Sequence, residues 1–174
     1  MGYSQPQPLR GKQDFSEFVS GEISLDSWLQ RHARHAEAAG SARTFITTDG
    51  RRVVGFCSLT IGQVQPDDAT KRLLRGQPAR RPVPVIVLAR LAVDREHQKH
   101  GVGRSLLQDA LLRCDQVSDS VGVRAVVAHS LPKAAGFYDY FGFEKSPTDP
   151  LHRILLLKDL RQFLKTAEAD QPER

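Results

Sequence analysis

Apolar positions change their spacing several times along the chain, and each change predicts an element. Residues 1–12 are polar and rich in Pro and Gln, which reads as a loose arm. Phe15, Phe18 and Val19 start an apolar pattern of helical spacing that Gly21 breaks. Leu25, Trp28 and Leu29 share one face at i, i+3, i+4, predicting a helix from an N-cap at Ser24 to Ala39, stopped by Gly40. Residues 42–48 and 53–61 are rich in β-branched and aromatic side chains and flank Asp49-Gly50, a hairpin signal. Residues 62–84 are polar and Pro-interrupted and read as a long loop. A continuous apolar run over 85–93 predicts a buried strand. Leu106, Leu107, Ala110 and Leu111 then set helical spacing over 103–114. Further on, 123–128 reads as a strand, 133–141 as a short helix ended by Gly142, 151–157 as a strand and 158–166 as a helix. Residues 167–174 read as a solvated tail.

The order of elements shows no repeat and no linker. It predicts a single α/β domain over 13–166, a central mixed, twisted sheet flanked by helices. A length of 174 residues suits one good core, and 40% hydrophobic with 26% charged residues is ordinary for a soluble protein. No apolar run approaches the roughly 20 residues that span a bilayer. The N-terminal segment has no apolar signal core, so a cytoplasmic location without membrane contact is expected. Cys57 and Cys114 lie far apart without metal-ligand spacing; they are expected as buried small hydrophobes, and no metal is expected. The formal net charge of +5 favours a polyanionic ligand or partner without naming it. Lys71, Arg72, Arg75, Arg80 and Arg81 concentrate that charge in a stretch without an acid.

The most informative segment follows the buried strand: a polar turn, Gln98-Lys99-His100, then Gly101-Val102-Gly103 opening a helix. The start of a helix presents unpaired N–H groups and a positive dipole end, which suits a phosphate. Glycine lets a ligand approach the backbone closely. An ordinary strand-to-helix turn would carry the same glycines, and the third glycine of a dinucleotide fingerprint is absent.

With its preceding strand ending Leu91-Ala92-Val93, Gln98-x-x-Gly101-x-Gly103 resembles the acetyl-CoA motif of the GNAT acetyltransferase superfamily. A second segment, Ala134-Ala135-Gly136-Phe137-Tyr138 followed by Tyr140-Phe141-Gly142-Phe143, resembles that family's other motif. The resemblance implies that Leu91, Ala92 and Val93 pair with the pantetheine arm. It implies that Lys99, His100, Gly101, Val102, Gly103 and Arg104 hold the pyrophosphate, with Gln98 in the motif and Ser105 and Phe137 nearby. Three further stretches sharpen it: Phe18-x-Ser20-Gly21 with Leu25-Asp26-x-Trp28-Leu29, then Arg43-Thr44-Phe45, then residues 87–94. Together these look like the GNAT toxins of bacterial toxin–antitoxin pairs. Such proteins acetylate the α-amino group of aminoacyl-tRNA and block translation. They are bound by a ribbon-helix-helix antitoxin, which also binds operator DNA, and commonly form homodimers.

Acetyl transfer requires a neutral amine and a proton for the departing thiolate. Tyr138 is the expected donor, since a phenol of pKa about 10 is protonated at neutral pH; a tyrosine packed along the cofactor channel is the plainer alternative. Tyr140, two residues on, would face another way on a helix. No carboxylate precedes Asp94 on the central strand. An α-amino group, with pKa about 7.7–8.0, needs less help than a lysine at about 10.4, which favours an aminoacyl ester as acceptor. His129 ends a strand, where a water-mediated relay and a partly buried structural role both remain open. Arg43, Arg90 and the Lys71–Arg81 cations would supply phosphate contacts to RNA. Arg90, inside an apolar strand, needs either an internal partner or a substrate phosphate. A GNAT enzyme acting on a protein N-terminus or a small amine is the second reading, and a non-catalytic CoA- or DNA-binding regulator the third.

Overall fold

The computed structural model describes residues 2–169. In chain order the elements are β1 (Gln7–Pro8), α1 (Ile23–Arg31), α2 (Ala33–Ala39), β2 (Arg43–Asp49), β3 (Arg52–Val64), α3 (Lys71–Leu74), β4 (Val83–Val93), α4 (Val102–Ser118), β5 (Ala125–His129), α5 (Ala135–Tyr140), β6 (Glu144–Lys145), β7 (His152–Leu156) and α6 (Leu157–Ala169). The strands follow the order β1-β2-β3-β4-β5-β7-β6 in one seven-stranded mixed sheet. None of the described helices is long and apolar enough to cross a membrane. The chain groups into two compact units, Met1–Thr60 with Leu88–Ala110 and Ile61–Val87 with Leu111–Arg174.

In the first unit, β2 and β3 pair antiparallel from Arg43↔Leu59 to Asp49↔Arg52, and Gly50 takes the positive φ (61°) of the tight turn. Leu29, Ile46, Val53 and Phe56, all fully buried, join Phe18 in its core. The stretch read as a loose arm is instead laid along β2. Gln7 pairs with Ile46 and Pro8 with Phe45, and the Leu9 amide reaches the Thr44 carbonyl at 2.8 Å. Proline is tolerated there because an edge strand need not donate from both sides. The helical pattern from Phe15 to Val19 is not a helix: Phe15 and Phe18 enter the core from an irregular segment, while Val19 is exposed. The predicted helix from Ser24 divides at His32 into α1 and α2 and starts earlier, with Glu22 as N-cap. Ser20 explains the shift: its hydroxyl accepts from the Glu22 amide and donates to Asp26, so the chain is turned before Ser24. Gly40 does close α2, with φ of 73°.

In the second unit, β5 and β7 pair antiparallel from Ala125↔Leu156 to His129↔His152, and β6 joins β7. Val83, Val85, Ala125, Ile154 and Leu73 fill its core. The stretch expected as a structureless loop over 62–84 is largely built. β3 runs on to Val64, and Thr70 caps α3 by accepting from the Leu73 amide at 3.1 Å. At Gly62 a Cβ would lie 2.7 Å from Val87 Cγ2, so the two strand segments approach closely there. α6 continues three residues past its predicted end, to Ala169; the rest of the expected tail, 170–174, lies outside the described residues. Cys57 and Cys114 are buried thiols, and burial pushes Cys114 up to about 12.

Candidate functional site

The turn between β4 and α4 is held by its own neighbours. Asp94, 1% exposed, caps the short 3-10 turn over Arg95–His97 by accepting from the Glu96 amide. Its other oxygen accepts from the Val19 amide at 3.1 Å and from Arg52 at 3.4 Å. The Arg95 amide returns to the Val19 carbonyl. The Gln98 side-chain NH₂ donates to the carbonyls of Ser20 (2.9 Å) and Val93 (3.0 Å), so both its hydrogens close the turn. Gln98 therefore shapes the loop from behind. Asp94, Glu96 and His97 place ligand-type atoms within 4.8 Å of one another, but the Arg52 guanidinium lies on both carboxylates and the Tyr3 hydroxyl meets His97 Nδ1 at 3.1 Å.

Lys99 (φ 63°) and Gly101 (φ 84°) both take left-handed backbone, which turns the chain sharply before the helix. The α4 ladder begins with the Ser105 amide on the Gly101 carbonyl at 3.0 Å, so the amides of Val102 and Gly103 precede it. A Cβ at Gly101 would meet nothing within 4 Å, and one at Gly103 only Val93 Cγ2 at 3.5 Å. The space at Gly101 is open, as a bound phosphate requires, while Gly103 packs on Val93. Conformation rather than crowding demands glycine at 101. Lys99, His100 and Arg104 are exposed around the loop. The donor set fits a diphosphate: amides at a helix start, with cations at the rim.

Gly55 is a residue that sequence reasoning missed. A Cβ there would lie 2.7 Å from Val102 Cγ1 and 2.9 Å from Leu106 Cδ1. Its lack of a side chain lets the first turn of α4 settle on β3. A lone glycine inside a strand is the sequence signal of such an approach.

In the second unit, α5 carries Tyr138. The Tyr138 side chain is buried at 6% exposure, whereas Tyr140 is 62% exposed, as the helical offset between them requires. The rings of Phe137 and Phe143 stand edge-on to Tyr138, each at 5.3 Å. Gly142 (φ 84°) ends the helix, and the Tyr138 carbonyl accepts from the amides of both Phe141 and Phe143. His129 is not partly buried: its side chain is 67% exposed, 3.8 Å from the Asp149 carboxylate. It stands opposite His152, whose pKa is lowered by burial and then by the His129 charge.

The basic residues fall into two groups. Arg72 is engaged by Glu144 and by Asp159, Arg43 by the carbonyl and carboxylate of Glu37, and Arg90 lies 4.1 Å over the Trp28 ring. Trp28 stacks in turn on Phe56, so the internal partner that Arg90 needs is an aromatic face; burial also lowers the Arg90 pKa. Lys71, Arg75, Arg80 and Arg81 are exposed. Arg124 donates to the carbonyls of Leu73 and Arg75 and so pins the backbone that bears them.

Residues 40–145 match the acetyltransferase (GNAT) domain family. Over 164 residues the chain is 48% identical to a tRNA-acetylating toxin of Mycobacterium tuberculosis, covering 94% of this chain and 98% of that protein. Among solved structures, AtaT complexed with acetyl-methionyl-tRNAfMet has the same fold, with a TM-score of 0.83 at 23% identity, over 94% of this chain and 99% of that one. A Tyr-to-Phe mutant of AtaT bound to acetyl-CoA and the C-terminus of the antitoxin AtaR matches with a TM-score of 0.78 at 22% identity, over 93% and 98%.

Proposed function

Because the chain belongs to the GNAT acetyltransferase family, we propose that it is a toxin that moves an acetyl group from acetyl-CoA to the α-amino group of aminoacyl-tRNA and so blocks translation. The observation that carries this reading is the near end-to-end identity of 48% with a tRNA-acetylating toxin. The turn from Lys99 to Arg104 supports it, with left-handed backbone at Lys99 and Gly101 and open space at Gly101 for a diphosphate. Leu91, Ala92 and Val93 would pair with the pantetheine arm, with Ser105 and Phe137 close to the bound coenzyme.

The chemistry asks little of the acceptor. An α-amino group keeps a sizeable neutral fraction at physiological pH, so its nitrogen attacks the thioester carbonyl without a strong base. The C–N bond forms, the C–S bond breaks, and Tyr138 gives its proton to the leaving thiolate. The proton of the new ammonium passes to water, and Tyr138 recovers its proton from water before the next turnover. Lys71, Arg75, Arg80 and Arg81, all exposed, would contact tRNA phosphates, with Arg75 on backbone that Arg124 pins. Arg43, Arg72 and Arg90 already have partners within the fold and support it. A ribbon-helix-helix antitoxin that links the protein to operator DNA, a homodimer and action in the cytoplasm complete the proposal.

The test incubates the purified protein with labelled acetyl-CoA and either charged tRNA or total protein. Label on the aminoacyl end of tRNA is the expected result. Label on protein or on small amines alone would overturn the reading in favour of the other GNAT activity, and coenzyme binding without any transfer would favour a regulator.

A further inference from the structure

Arg153 is a cation in a place that has little use for one. It stands within β7, opposite Ala128 of β5 and Lys145 of β6, and only 2% of it is exposed. A buried guanidinium must be compensated. Its Nη1 donates to the carboxylate of Asp139, the residue that follows Tyr138 in α5. Its Nε has no hydrogen-bond partner among the described residues, so much of the compensation falls on that one carboxylate. Asp139 itself is half exposed and could be satisfied by water. The need for the pair therefore comes from the arginine, whose backbone is anchored by strand pairing on both sides.

The helix at the other end of the pair needs an anchor. α5 is six residues long and has no side-chain cap at its N-terminus. A helix of that length does not hold itself. Aromatic contacts pack one side of it, from Tyr138 to Phe143 and from Phe137 through Phe141 to Phe163. Such contacts set the depth of a helix in its core, and their edge-to-face preference holds its rotation only weakly beside a charged hydrogen bond. A charge-assisted hydrogen bond is directional. We infer that the Arg153–Asp139 pair fixes the rotation of α5 and thereby aims the Tyr138 hydroxyl, making Arg153 and Asp139 positioning residues for acetyl transfer. This rests on the reading of Tyr138 as proton donor.

The test is a double-mutant cycle on the full chain: parent, Tyr138→Phe, Asp139→Asn, and both together. It reads kcat for acetyl transfer to aminoacyl-tRNA, KM for acetyl-CoA and the thermal midpoint. Asp139→Asn is expected to lower kcat by about tenfold to 10²-fold, the scale of a misplaced catalytic group. KM for acetyl-CoA stays within about twofold, because binding is not what the tether serves. In the Tyr138→Phe background the same substitution adds no further loss, since there is no hydroxyl left to aim. Asp139→Glu restores most of the rate. The pair Arg153→Met with Asp139→Asn removes the buried charge together with the tether, so it folds and still shows the kcat loss. An Asp139→Asn protein at the parent rate, or one that loses equally in both backgrounds, would overturn the inference while leaving Tyr138 in its role. A Tyr138→Phe protein as fast as the parent would instead remove the proton donor itself.

Discussion

The turn before α4 and the helix that carries Tyr138 are built by opposite means. The turn from Asp94 to Gly103 is made of backbone, drawn into shape by Gln98 on two carbonyls, by Asp94 on two amides and by left-handed φ at Lys99 and Gly101. α5 is a short helix held by aromatic edges, the Gly142 turn and one buried ion pair. A backbone site binds a charge of fixed shape and depends on conformation. A side-chain site presents one functional group and depends on aim. Each region should therefore own a different kinetic parameter.

The largest effect expected is from Tyr138→Phe: kcat falls by about 10²-fold or more, the usual share of a general acid, with acetyl-CoA affinity unchanged in calorimetry. A loss of affinity instead would dissolve the contrast. Gly101→Val should do the reverse. A β-branched residue at φ 84° is strained, and acetyl-CoA Kd should rise about tenfold while kcat at saturation stays near parent. Gln98→Ala removes two hydrogen bonds worth about 1 kcal/mol each and loosens the same loop, so Kd should rise by up to about tenfold. The smallest effect lies beyond β5. His152 has a lowered pKa in the fold, so the unfolded chain binds more protons as pH drops below the usual 6.5. Its contribution is present above that pH and lost as pH falls. Urea midpoints at pH 7.5 and 5.5 should thus differ less in His152→Gln than in the parent.

The turn before α4 is the easier of the two to read from sequence. Glycines, an apolar strand and a helical repeat lie within about two dozen residues, and local physics reports on them directly. The Asp49-Gly50 hairpin was legible for the same reason. What escaped depends on partners distant in sequence. Pro8 sits on an edge strand because β2 offers one, and a polar, Pro-containing stretch carries no sign of that. β6 is two residues defined only by their pairing with β7. Arg72 reads as one more cation of a basic run, yet Glu144 and Asp159 claim it from 72 and 87 residues away. Arg90 declared its need for a partner, but the stacking of Trp28 on Phe56 that meets it is a product of folding. Ser24 is the reasonable N-cap by composition; the Ser20 hydroxyl, bonded to the Glu22 amide and to Asp26, turns the chain earlier, and the helix starts from Glu22.

The two thiols of this chain are both interior, and that of Cys114 resists ionisation to a pH of about 12. A maleimide dye at neutral pH would find almost no native target. A single cysteine placed at the exposed Tyr140 position would then be the only quick one, turning the protein into its own fluorescent gauge of events at the neighbouring phenol.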